Sequence, residues 1–153
     1  MADVTLDTGV FIALERRQRR ALALWAEWTR AMTRLTVPAV VIAEWWRDRQ
    51  WDAARWLGGV DVEPVDEALA RIAGEVLGEL RRGREHTIDA IVMASAAQRG
   101  DTVYTSDFDD MARLATRFRG GARRKRLTGR AVRRVVPESL AHEWTSLSTS
   151  CEP

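Results

Sequence analysis

Short β-type runs recur along the chain, each followed by a longer stretch of helical period, and this alternation limits the fold more than any other feature. Val4-Thr5-Leu6 comes first and stops at Asp7; Thr36-Val37-Pro38, Val60-Asp61-Val62-Glu63, Thr102-Val103-Tyr104-Thr105 and residues 131–136 follow. After the turn Thr8-Gly9, the apolar Val10, Phe11, Ile12, Ala13 and Leu14 predict a helix. Residues 21–35 carry Leu22, Trp25, Trp28 and Met32 near helical spacing, and residues 39–49 predict a third helix whose first turn suits Pro38. Gly58-Gly59 then breaks the chain. Asp66 reads as an N-cap for Leu69, Ile72, Ala73, Val76, Leu77 and Leu80, with Gly83 closing that helix. Thr87 caps a helix from Ile88 to Arg99 that is apolar nearly all round, hence buried, and Gly100 ends it. Ser106-Asp107 opens a last helix with Met111, Leu114, Ala115 and Phe118 on one face. Strands alternating with helices imply a three-layer α/β/α fold around a central parallel sheet of about five strands. The third strand is expected at an edge, and the crossovers right-handed.

At 153 residues, one domain is the default, expected over residues 1–138 with a polar tail over 139–153. Composition is globular, 46% hydrophobic and 30% charged, which argues against disorder. No apolar run approaches the ~18 residues of a membrane span. Asp3 and Asp7 interrupt any secretory pattern. The single cysteine, Cys151, fits a reducing, cytoplasmic setting and excludes disulfide scaffolds and Cys-based zinc modules.

Net charge is only +2, but it is unevenly spread. Residues 111–137 hold ten basic side chains and no acidic one, leaving the remainder at −8. An acidic body with one basic segment suggests a polyanionic partner, with Arg123, Arg124, Lys125 and Arg126 as candidate contacts. The plainer alternative is a solvated loop in an arginine-biased chain, since 23 of the 24 basic residues are Arg.

Four carboxylates stand out. In open α/β sheets the functional crevice lies beyond the carboxyl ends of the strands, where Asp7 ends the first strand and Asp107 follows the fourth. Asp89 sits in the first turn of the buried helix, where amides and dipole favour an anion, and Glu44 lies on the third helix among apolar neighbours. Singly, each has an ordinary explanation: Asp107 as an N-cap with Asp110 completing a capping box, Asp89 as a dipole-stabilised acid, Glu44 as a solvated helix residue. Together they would repel unless protonated or neutralised. A hard divalent ion with oxygen ligands, Mg²⁺ or Mn²⁺, resolves that repulsion most simply.

At these residues the chain resembles PIN-domain nucleases. Leu6-Asp7-Thr8, Val41-Ile42-Ala43-Glu44, Thr87 to Ala94 around Asp89, and Thr105-Ser106-Asp107-Phe108-Asp109-Asp110 fall in the family's order and spacing. The resemblance covers about residues 3–136 and is strongest to the VapC-type toxins of toxin–antitoxin modules. It implies a PIN-like fold in which Asp7, Glu44, Asp89 and Asp107 hold Mg²⁺ or Mn²⁺ and carry catalysis, with Asp110 (or Asp109) an auxiliary acid. The implied activity is endonucleolytic hydrolysis of structured RNA of the tRNA or rRNA class. A homodimer and a cognate antitoxin lying across the helices near Trp45–Trp56 are also implied. Gly9 departs from the family, which has a small polar residue two after the first aspartate, and the basic stretch before the fifth strand is longer than usual.

Other chemistries fit less well. P-loop and G-x-G-x-x-G fingerprints are absent, and neither serines nor cysteine have a plausible His–Asp pairing. A receiver-type domain needs a lysine after its last strand, whereas the sole lysine, Lys125, precedes it. With only His86 and His142, a histidine-driven RNase is excluded, and His86 reads as a loop residue able to touch substrate. A PIN-fold binding protein that has lost catalysis, and a non-toxin nuclease of RNA processing, are the alternatives. Seven tryptophans remain. Neighbours on a helix lie about 100° apart, so Trp45 and Trp46 cannot both enter the core; with Trp51 they are candidates for a partner interface.

Overall fold

The computed structural model describes residues 3–46, 51–81, 84–119 and 131–134. Five parallel strands, β1 (Val4–Leu6), β2 (Leu35–Pro38), β3 (Asp61–Glu63), β4 (Thr102–Thr105) and β5 (Ala131–Arg134), form one sheet in the order β3-β2-β1-β4-β5. Every residue of β1 and β2 is buried, as expected of strands covered on both faces. β3 is the expected edge strand, with Asp61 and Val62 exposed. The chain walks outward from β1 to β3 through α1 (Thr8–Glu15), α2 (Arg19–Arg30), α3 (Ala39–Trp45) and α4 (Trp51–Leu57). It then crosses the sheet through α5 (Glu67–Leu80), a 3-10 turn (Arg84–His86) and α6 (Thr87–Arg99), and α7 (Phe108–Arg119) joins β4 to β5. Right-handed crossovers in opposite directions put the first four helices on one face and the last three on the other.

α6 is the innermost helix. It packs on β1, β2 and β4 and lies against α5, α7 and α3, which accounts for the unbroken burial of Ala90 to Ala97. Gly100, at φ 76°, takes the left-handed conformation that stops it. Asp66 caps α5 as expected, its carboxylate accepting the Leu69 amide at 2.8 Å.

Several boundaries differ from the sequence expectation. α2 is Arg19–Arg30 rather than 21–35, because Met32 turns left-handed (φ 52°) and Leu35 pairs with Val4 in the sheet. α3 stops at Trp45, with Trp46 leaving the helical region at ψ 84°, and α4 was not expected at all. His86, not Thr87, is the N-cap of α6. Trp45 is 1% exposed and stacked on Phe11 with ring centroids 4.7 Å apart, so it is a core residue and not a partner surface. Trp46, edge-on to it, is 42% exposed. The candidate contacts Arg123, Arg124, Lys125 and Arg126, the expected tail 139–153 and the side chain of Trp51 lie outside the described residues.

The C-terminal end of α6 is tied to the sheet by one cation. Arg99 donates from Nε to Asp101 Oδ2 at 2.8 Å, from Nη2 to Ser95 Oγ at 2.8 Å, and from Nη1 to Glu63 on the edge strand. Thr5 on β1 donates to the same Asp101 oxygen at 2.8 Å. Asp101 is 2% exposed, so removing the guanidinium strands a buried charge. Arg99→Ala is therefore expected to destabilise the protein by about 3 kcal/mol, read as a lower urea midpoint at unchanged slope.

Candidate active site

The strand order reverses between β1 and β4: β1 leads outward through β2, and β4 leads the other way through β5. Ligand crevices of open α/β sheets form at such a switch point, past the carboxyl ends of the strands. Asp7 is the first residue beyond β1, and its amide donates to the Tyr104 carbonyl of β4 at 3.1 Å. Asp7 also occupies the N-cap position of α1, but its side chain makes no capping bond there. Instead it accepts from Thr105 Oγ1 at 2.7 Å. That hydroxyl in turn accepts the Asp107 amide at 2.9 Å, so the end of β4 is folded around the Asp7 carboxylate.

The other acids arrive from the two helical layers. Asp89 lies in the first turn of α6, and His86 Nδ1 stands 3.5 Å from its Oδ2. Glu44, on α3, accepts a short hydrogen bond from Thr8 Oγ1 at the start of α1. Asp107 precedes α7 and receives the Asp110 amide at 3.5 Å, a long contact of the capping kind. The Asp110 carboxylate itself lies 3.7 Å from the Arg113 guanidinium one turn on.

These acids sense one another. Burial pushes the Asp7 carboxyl, only 6% exposed, up to about 6; repulsion from Asp89 and Glu44 adds to this against the lowering hydrogen bond of Thr105. Asp89 is likewise raised, by burial first and then by Asp107 and Glu44, despite the opposing His86. A first-turn position would by itself favour the anion; at Asp89 burial and like charge outweigh it. Asp89 is thus electrostatically linked to each of the other three candidates, Asp7, Glu44 and Asp107.

The donor chemistry fits a hard divalent cation: every group is a carboxylate, and the repulsion that raises Asp7 and Asp89 is what a cation relieves. As the side chains stand, among the described residues no three His, Cys, Asp or Glu are close enough to hold an ion.

Sequence reasoning missed three residues of this site. Thr8 and Thr105 hold two of the acids; each directly neighbours a candidate or its motif, a proximity that could have drawn notice. His86, read as a loop residue, is at the lip against Asp89, three positions before it on the face the helix continues.

Fold and acids together define an α/β protein with carboxylates gathered past the strand ends at its topological switch point. The family model of the PIN domain matches residues 4–116, and the chain belongs to that family, whose members are generally nucleases. Its fold is similar to a chain in the crystal structure of VapBC2 from Rickettsia felis bound to a DNA fragment from their promoter. The TM-score is 0.56 at 13% sequence identity, over 72% of this chain and 91% of that one. Among the curated proteins none matches. Among the described residues no helix is long and apolar enough to cross a membrane.

The raised carboxyl of Asp7 couples the site to folding. Its folded-state value of about 6 exceeds the ordinary 3.8, so stability is whole below pH 3.8, falls as pH rises, and has lost this contribution above about 6. In chelator, urea unfolding is expected to show that decline. Asp7→Asn should flatten it and be the more stable protein at neutral pH by about 2 kcal/mol. A variant weaker than wild type under those conditions contradicts the assignment.

Proposed function

We propose that this chain is a metal-dependent endoribonuclease and the toxin of a toxin–antitoxin pair. The observation that supports the nuclease reading is the mutual electrostatic influence of Asp7, Glu44, Asp89 and Asp107, which come from four separate segments of a PIN domain. These residues would hold Mg²⁺ or Mn²⁺, which supplies the positive charge that acidifies water and stabilises the phosphoryl oxygens.

The protein's own part is to present the acids at the crevice and orient the phosphodiester. In this reading Thr105 and Thr8 keep Asp7 and Glu44 aimed until the site closes. Glu44 or Asp107 takes the proton of the attacking water, the new oxygen–phosphorus bond forms in line, and the 3′-oxygen leaves. The products are 5′-phosphate and 3′-hydroxyl ends; Asp110 is an auxiliary acid. Of the two histidines, His142 falls in the expected tail, so the sequence does not favour a route through the 2′-hydroxyl.

The likeness in fold to a chain of the VapBC2 structure, itself a complex on promoter DNA, supports the toxin reading and a cognate antitoxin. Exposed Trp46 belongs to the surface such a partner or a second copy would cover, and Trp51 is assigned to the same interface from the sequence alone. Arg123, Arg124, Lys125 and Arg126 are assigned to the phosphates of a tRNA- or rRNA-class substrate, in the cytoplasm.

Incubation with structured RNA tests the chemistry. Cleavage is expected with Mn²⁺, none in excess chelator, and a loss of about 100-fold or more in Asp7→Asn and in Asp89→Asn, at or beyond the upper end of what losing even a supporting partner costs. Ends ligatable through a 5′-phosphate should appear. Cutting that survives chelation, or both substitutions, defeats the reading.

A further inference from the structure

Gly9 lies in the first turn of α1 with ordinary helical geometry, so no backbone conformation calls for glycine there. What calls for it is space. A Cβ at position 9 would stand 1.9 Å from Ser106 Oγ, 2.8 Å from Ser106 Cβ and 3.0 Å from the Ser106 amide nitrogen. Rotating the hydroxyl away relieves only the first of these; the other two yield only if the chain moves. Ser106 therefore sits in a notch that the missing side chain leaves on α1.

The notch lies between two crevice acids. Residues 104, 105 and 106 touch the β1–α1 corner in sequence: Tyr104 through the Asp7 amide, Thr105 through the Asp7 carboxylate, Ser106 through Gly9. Asp107 is the next residue, and its amide is already fixed on Thr105. Without the Ser106 side chain the last of the three contacts is unmade.

We propose that Ser106, seated in the Gly9 notch, is a positioning residue that sets the separation of Asp7 from Asp107. The proposal rests on the metal reading above, because that separation matters only if both acids bind one guest.

Calorimetric titration of the full chain with Mn²⁺, well below the melting temperature, tests it without reference to turnover. Gly9→Ser and Ser106→Gly should each weaken Mn²⁺ binding about tenfold, the scale at which supporting residues act on a metal. The exchanged pair, Gly9→Ser with Ser106→Gly, refills the notch from the other side and should return to within about threefold of wild type. A purely structural role would shift the melting temperature but would leave the affinity of the folded protein alone. Should Gly9→Ser fail to fold, Ser106→Gly, which only removes atoms, and the exchanged pair still decide. Wild-type affinity in Ser106→Gly, or an exchanged pair no tighter than Ser106→Gly alone, overturns the proposal. A wild type that takes up no Mn²⁺ overturns the metal reading and this one together, and is seen before any variant is compared.

Discussion

The pairing of β1 with β4 brings residues a hundred positions apart into one hydrogen-bonded ladder, and the crevice exists only because of it. Leu6 lies beside Tyr104, and the ladder runs on past both strands through the Asp7 amide and the Thr105 hydroxyl. Because β1 is central, both its edges are occupied, and its carboxyl end is the place where chain from both helical layers meets. α3 brings Glu44 from one layer and α6 brings Asp89 from the other. A slip of one residue in the β1–β4 register would turn Asp7 and Thr105 to opposite faces and leave the remaining acids without a focus.

That arrangement holds a carboxylate in a place that folding alone disfavours. Asp7 is enclosed by buried neighbours and by two further acids, and the hydrogen bond from Thr105 satisfies an oxygen lone pair without neutralising its charge. The surrounding packing tolerates this. Leu6, Val10, Phe11 and Val103 are essentially sealed from water, and burying a side chain of that size contributes roughly 1.5–3 kcal/mol. A few such contacts offset one misplaced ionisation, so the cost falls on the site while the core carries the fold.

The strands were legible because their alternation with helical segments is a property of the chain itself, and Asp66 was legible as a cap because a cap is local. Residues 31–34 were misread because a period of apolar residues cannot report that Leu35 has a partner in Val4. The pair Trp45-Trp46 shows the same limit: geometry dictated that one must face out, but only the ring of Phe11 decided which. The acids could be singled out from their positions at strand ends and in a first helical turn. Which acid each neighbouring threonine would hold, and the Gly9–Ser106 contact, could not, since each joins segments whose meeting depends on the completed sheet. Arg99 entered the sequence reading only as the last residue of its helix, because its hold on Glu63 depends on the edge strand lying beside it.

The two ends of α6 make the functional argument sharper than the crevice does alone. About 15 Å apart along one helix, both ends place acids against the sheet, but they answer the charge differently. At the Arg99 end, Glu63 and Asp101 share a guanidinium whose several donors reach both, and the cluster is closed on itself. At the Asp89 end, Asp7 receives a hydroxyl and Asp89 the long contact of His86, and both remain raised by burial and by their neighbours. The protein can neutralise buried acids with an arginine, and does so where the purpose is to pin a helix. At the other end, over the switch point of the sheet, burial and like charge still raise Asp7 and Asp89, an arrangement that a bound cation would relieve, in keeping with the proposed function.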